Sequence, residues 1–179
     1  MGLAASFILA HDTLAINHNP NYVPSCNINP IISCGDVITF KGDSIFGLPY
    51  PFYGIAAFAV LVTTGVGMLA GGKFKRWFWA TLQAFMSVGI VGAYYLLIKS
   101  MFLIHALCPY CLSVDVVTTT LFWYTTLYNA DQGLFGSRVQ ASRYYKWVRK
   151  HHLDILILWF IALAAFILNH FWYYYGKHL

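Results

Sequence analysis

Long uncharged runs separated by short polar breaks set the pattern of this chain. Pro51 to Ala70 is 20 residues without a charge and Trp77 to Ile98 is 22. At 1.5 Å per residue, each is long enough to cross a bilayer as a helix. Cys108 to Tyr128 is interrupted only by Asp115, and Ile155 to Tyr175 ends in Trp172 and three tyrosines, an interfacial aromatic belt. Gly2 to Ile16 is apolar but short and contains His11 and Asp12. It has neither a basic leader nor a small-residue cleavage site, so it reads as a first span with a trimmed cytoplasmic beginning, not as a signal peptide. The pattern predicts an all-α integral membrane protein with five transmembrane helices at about 2–16, 51–70, 77–98, 108–128 and 155–175. Residues 176–179 form a short tail.

Asn17 to Tyr50 breaks the pattern. Asn17, Asn19, Pro20, Asn21, Pro24, Asn27, Asn29 and Pro30 predict a turn-rich, flexible loop that holds Cys26 and Cys34. Ser44 to Pro49 is apolar enough to lie on the membrane surface. A connection this long between spans is usually functional.

Composition agrees with the pattern and narrows it. Apolar residues make up 59% and charged residues 9% of the 179 positions, against about a quarter charged in a soluble domain. No room remains for a sizeable soluble domain, and the basic residues are too few and too scattered to suggest nucleic-acid binding. The net charge of +5 matters through its placement. Loops 71–76 and 129–152 hold eight of the eleven Lys and Arg, whereas 17–50 and 99–107 hold only Lys41 and Lys99. Positive-inside orientation makes the basic loops and the N-terminus cytoplasmic, and the 17–50 and 99–107 loops and the C-terminus extracytoplasmic. Both cysteine pairs, Cys26/Cys34 and Cys108/Cys111, then fall on one side, a coincidence the charge count did not impose.

Cys108-Pro109-Tyr110-Cys111 opens an apolar helix. Cysteines three apart at a helix start share a face, close enough for a disulfide or a soft metal. Helix N-terminal N–H groups stabilise a thiolate, and Pro109 suits the first turn because its missing N–H has no partner there anyway. The spacing therefore fits a redox pair, with a structural disulfide or a metal pair as its inert alternatives, and Cys26/Cys34 alone fits a loop staple equally well. Thiol exchange needs a reachable disulfide and an acceptor for two electrons, and an apolar bundle beneath Cys108 and Cys111 offers a place for a quinone. Asp115 lies on the Cys111 face of its helix. An ionisable group inside a span is by default functional, here as a proton carrier, with a hydrogen-bonded structural carboxylate as the alternative. His105 is a candidate for tuning Cys108, or an ordinary interfacial histidine, as His170 is. Phe46, Leu48, Phe52 and Phe85 are candidate quinone-pocket lining, although most aromatic residues here must pack or face lipid.

Cys26-Asn27-Ile28-Asn29-Pro30-Ile31-Ile32-Ser33-Cys34-Gly35-Asp36-Val37, Phe46-Gly47-Leu48-Pro49 with Gly54, and Ile104-His105-Ala106-Leu107-Cys108-Pro109-Tyr110-Cys111 together resemble the bacterial branch of the vitamin K epoxide reductase family. The resemblance runs from about Gly2 through the fourth helix. It implies a four-helix bundle around a quinone of the menaquinone, ubiquinone or vitamin K type, capped by the 17–50 loop, with an extra C-terminal helix. It also implies a thiol:quinone oxidoreductase of the bacterial inner membrane that reoxidises an exported thioredoxin-like (DsbA-like) protein and so supports disulfide formation. Cys26 would take electrons from that partner, Cys34 would exchange with Cys108, and Cys111 would deliver electrons to the quinone. Many bacterial relatives carry a fused thioredoxin-like domain, whereas this sequence stops at Leu179, so the partner is expected to be a separate protein. Asp115 stands where vertebrate relatives have a quinone-contacting tyrosine, and Asp43 falls near the place of their quinone-site asparagine. Neither role carries over, and the expectation is quinone reduction without epoxide chemistry.

Two other classes compete. A copper(I) or zinc binding or transport protein could use Cys108/Cys111 with a histidine, but no Met-rich or His-rich tract lies near them, and no metal is assigned. A structural bundle with two inert disulfides would resist mild reductant.

Overall fold

The computed structural model describes residues 1–19, 21–29, 31–39, 44–45, 47–136, 138, 140 and 142–175. Helix α1 spans Gly2–His18 and α3 spans Tyr50–Leu69. They pack through small residues. A Cβ on Gly54 would lie 2.7 Å from Ser6 Oγ, and one on Gly2 would lie 2.5 Å from the Phe58 ring. Close backbone approach at Gly and Ser is how helices gain contact where no hydrophobic effect drives them together. Pro49 and Pro51 start α3 without wasting a donor. Gly71, at φ 84°, ends it, with Gly72 N–H donating to Gly67 O at 2.9 Å.

The 17–50 segment holds more structure than its turn residues predict. It contains α2 (Cys34–Thr39) and an antiparallel pair, β1 (Ser44–Ile45) and β2 (Leu48–Pro49), turning at Gly47 with φ 81°. Helix α4 (Arg76–Lys99) continues as a π-helical turn, Ser100–Ile104, where the sequence suggested a plain connector. Helix α5 spans Pro109–Asp131. The basic 129–152 stretch is not simply a loop, since it includes α6 (Arg143–Lys150), and α7 (His152–Tyr175) begins earlier than the sequence suggested.

Among the described residues, three helices are long and apolar enough to cross a membrane: Tyr50–Leu69, Arg76–Ile104 and His152–Trp172. Helix α1 is too short for that measure, and α5 is diluted by Asp115, Asp131 and its threonines. Val62, Val66, Leu69, Leu158, Ile161 and Leu168 all stand exposed along the spans, as expected where lipid is the solvent. The protein is a mostly helical membrane protein.

The chain divides into two compact units, 1–75 with 88–118, and 76–87 with 119–179. All four cysteines belong to the first. The second is joined by polar bonds. Asn129, fully buried, donates to Gln83 Oε1 at 2.9 Å, and Gln83 donates to Thr126 Oγ1 at 2.9 Å. Asp131, at the end of α5, accepts from Tyr145 Oη at 2.7 Å and Arg149 Nη1 at 2.8 Å, which ties α6 to α5. Desolvation, then the Asp131 carboxylate, pushes the Tyr145 phenol up to about 12. A raised phenol pKa favours the neutral form in the fold. The anchor therefore contributes fully below pH ~10, the ordinary tyrosine value, and is lost as pH climbs through the raised one.

Candidate redox site

The site is assembled by two chain segments that bond to each other immediately before their cysteines. Ile32 and Leu107 form a parallel bridge. Ser33 N–H donates to Leu107 O at 3.1 Å, and Leu107 N–H donates to Ile31 O at 2.6 Å. One residue further on, each strand-like segment delivers a cysteine, Cys34 from one and Cys108 from the other. Local sequence prepares both segments. Asn29 Oδ1 accepts from the N–H groups of Ile31 and Ile32 at 3.1 and 2.8 Å, the Asx turn that bends the chain. Asn27 Oδ1 accepts from the N–H groups of Cys34 and Gly35 at 3.0 and 2.9 Å, and Ser33 Oγ accepts from Asp36 N–H at 3.2 Å. These bonds satisfy the free donors at the start of α2.

On the other segment, the π-helical turn closes at His105, the one non-glycine residue with positive φ (58°) among those described. A left-handed histidine is unusual but tolerated better than a branched residue would be. Ser100 reinforces the reversal, accepting from Ala106 N–H at 3.3 Å and donating its hydroxyl to Ala106 O. His105 is exposed, and its clearest contribution is this backbone turn.

Cys26 and Cys34 form a disulfide. Cys108 and Cys111 are not joined in a disulfide, and Cys108 Sγ lies 3.1 Å from Cys34 Sγ. Only 6% of Cys26, none of Cys34 and 2% of Cys108 is exposed, and with Leu9 they form one buried cluster. The expected flexible loop is therefore a pinned, buried element around its cysteines. Cys111, half-buried, directs its N–H toward Cys108 Sγ at 3.4 Å from the first turn of α5. Aimed N–H groups and the helix dipole favour negative charge at such a sulfur.

Beneath the sulfurs is a cavity of about 140 Å³, bounded by Leu9, Ile38, Tyr50, Leu97, Cys111 and Asp115 among others. An apolar cavity of about 150 Å³ is known to accept a single benzene ring, so the space suits a ring headgroup. Asp115, also buried, reaches the same wall as Cys111, one turn along α5. Of the anticipated lining residues, the described ones do not. Leu48 is exposed and Phe52 half-buried, and neither bounds the cavity; their neighbours Pro49, Tyr50 and Pro51 do. Phe85 is exposed on the part of α4 assigned to the second unit, and Phe46 and Asp43 lie outside the described residues. The sequence reading missed Leu9, Ile38 and Leu97, because nothing in their apolar surroundings marks one side as facing a cavity.

Tyr22 Oη donates to Asp12 Oδ1 at 3.1 Å and holds the loop to α1. That bond to the carboxylate raises the Tyr22 phenol above its ordinary value.

Gly35 limits the design. A Cβ there would come within 2.8 Å of Asn27 Nδ2. Gly35→Ala is expected to displace the Asn27 amide and loosen the start of α2. The cost should be about 1–3 kcal/mol in thermal or denaturant unfolding, with slower exchange between Cys34 and Cys108 in a thiol-trapping time course.

A disulfide whose Cys34 lies against Cys108 of a Cys-x-x-Cys pair, in a chain with membrane-crossing helices, fits a membrane disulfide oxidoreductase. The chain matches the vitamin K epoxide reductase family over residues 1–126, well over half its length, and belongs to that family. None of the curated proteins compared with the chain matches it. Among the described residues, no group of three or more His, Cys, Asp or Glu could hold a metal ion.

Proposed function

We propose that the protein oxidises the dithiol of a separate, exported thioredoxin-like protein and passes two electrons to a membrane quinone through Cys26, Cys34, Cys108 and Cys111. One observation carries this reading: Cys108 Sγ stands 3.1 Å from Cys34 Sγ of the closed outer disulfide, while Cys111 borders the apolar cavity. The positive-inside count supports an extracytoplasmic position for both pairs, a cytoplasmic N-terminus and five spans, with α1 and α5 completing the three more apolar helices.

The exchange balances step by step. A partner thiolate attacks the outer disulfide at Cys26, and its second thiol resolves the mixed disulfide, leaving Cys26 and Cys34 reduced. Cys34 then attacks Cys108 in a Cys108–Cys111 disulfide and releases the Cys111 thiolate. Cys26 attacks Cys34, recloses the outer disulfide and frees Cys108. The result is a closed Cys26–Cys34 with two inner thiols, the arrangement found here. Val23 and Ile28, 68% and 71% exposed on either side of buried Cys26, supply apolar surface on which a partner can seat. A quinone bound in the cavity supplies the two-electron sink. Tyr50, Leu97 and Ile38 would hold its ring, Cys111 would face it, and Asp115 would hold a proton at a carboxylate oxygen on the same wall.

The test is anaerobic. Reduced protein, freed of reductant, is mixed with menaquinone or ubiquinone while quinone absorbance and free thiols are followed together. Loss of two thiols per quinone reduced supports the reading, and thiols that persist beside unchanged quinone refute it. Asp115→Asn is expected to slow quinone reduction about 10²-fold, the scale of a lost proton-transfer group, and to leave exchange between the two cysteine pairs intact. Unchanged turnover at every pH would remove Asp115 from the mechanism.

A further inference from the structure

The segment joining α5 to α7 lies beyond the family match, and thiol exchange makes no use of it. Its helix, α6, has eight residues that sort cleanly by chemistry at ~100° per residue. Arg149, Lys146, Lys150 and Arg143 occupy one arc, and Trp147, Tyr144, Val148 and Tyr145 occupy the other. A helix this short is marginal in water and needs a surface. Part of that surface is the Asp131 anchor to Tyr145 and Arg149.

The rest of α6 points to a bilayer. Helix α7, a candidate span, begins at His152, two residues after α6 ends, so α6 lies at the membrane surface whichever way the chain inserts. Tyr144 and Trp147 are 74% and 55% exposed, with stacked rings 6.5 Å apart at 28°. Exposed Trp and Tyr beside basic residues are the composition of an interfacial helix. Arg143, Lys146 and Lys150 are exposed beside them. A cavity of about 410 Å³ adjoins the helix, walled by Trp123, Leu127, Phe135, Tyr145 and Val148, with Arg138 also on its wall. The indole N–H of Trp123 is buried with no acceptor among the described residues.

We propose that α6 and this cavity bind an anionic phospholipid of the adjoining leaflet. Arg138, Arg143, Lys146 and Lys150 take the phosphate, and the aromatic cavity takes the apolar part of the lipid. The choice of an anionic lipid rests on charge. The basic arc has no acidic residue of its own, and each Lys or Arg at an anionic surface adds attraction that a zwitterionic headgroup does not.

Hydrogen exchange of the full chain in two kinds of nanodisc tests this, one of phosphatidylcholine alone and one of equal parts phosphatidylcholine and phosphatidylglycerol. Amides 143–150 are expected to exchange at least about 10-fold more slowly in the anionic discs. The difference should shrink as salt shortens the screening length from ~10 Å at 0.1 M to ~3 Å at 1 M. It should vanish in the Arg143→Gln/Lys146→Gln/Lys150→Gln variant, whose thiol oxidation stays normal and so reports an intact fold. Equal exchange in the two discs, or a difference that survives the triple substitution, overturns the proposal. Protection by polyglutamate in phosphatidylcholine discs, with none from phosphatidylglycerol, also overturns it and assigns the face to an acidic protein.

Discussion

Cys34→Ala protein is expected to lose oxidation of a thioredoxin-like partner by about 10³-fold or more, the scale on which removal of a nucleophile is felt. The argument is one of access. With Cys34 gone there is no outer disulfide for a partner thiolate to attack, and the inner pair cannot substitute, because Cys108 is 2% exposed and covered by the pinned 26–34 segment. A small dithiol has less to clear, since Cys111 is half-buried beside the cavity. Quinone reduction driven by dithiothreitol should therefore survive in Cys34→Ala while partner oxidation fails. That split separates a broken relay from an unfolded protein, even though loss of the cross-link costs roughly 2–3 kcal/mol of chain entropy by the loop-closure model. Partner oxidation at the normal rate would mean that Cys34 is not on the path.

The sequence showed the local placement of the cysteines better than the contacts that bring them together. Both cysteine pairs, the α5 start at Pro109 and the Cys111–Asp115 face are local features, fixed by spacing along one helix, and they are legible from the chain alone. The contact between Cys34 and Cys108 is not local. It depends on the Ile32–Leu107 bridge and on a π-helical turn closed by a left-handed His105, and no propensity marks either. The same limit explains the cavity lining. Of the stretch from Leu48 to Phe52, Pro49, Tyr50 and Pro51 line the cavity where Leu48 and Phe52 were expected. Asparagines that read as loop formers are the ordering elements, Asn27 and Asn29 each accepting two backbone N–H groups. Helix α6 was hidden because eight residues inside a basic stretch resemble an ordinary charged loop until their angular order is considered.

Cys111→Ala should separate the inner half of the reaction as cleanly. In this variant Cys108 still faces Cys34 Sγ at contact distance, so its thiolate can attack the outer disulfide, forming Cys34–Cys108 and releasing Cys26. In the intact protein Cys111, one helical turn away, can attack Cys108 and reverse the trap from within. Without it, only Cys26 can resolve the mixed disulfide, by returning to the starting state. Oxidised Cys111→Ala protein should therefore hold a Cys34–Cys108 cross-link that non-reducing digestion and mass spectrometry detect and that the unaltered protein does not accumulate. Its quinone reduction should fall at least about 10³-fold, because the remaining inner sulfur is buried against Cys34. The two readouts fail in different ways. A cross-link with lost quinone reduction assigns Cys111 to the terminal step. A cross-link with undiminished quinone reduction would mean that electrons leave from Cys108 and that Cys111 only resolves. Absence of the cross-link would mean that the 3.1 Å contact between Cys34 and Cys108 is not a route for exchange.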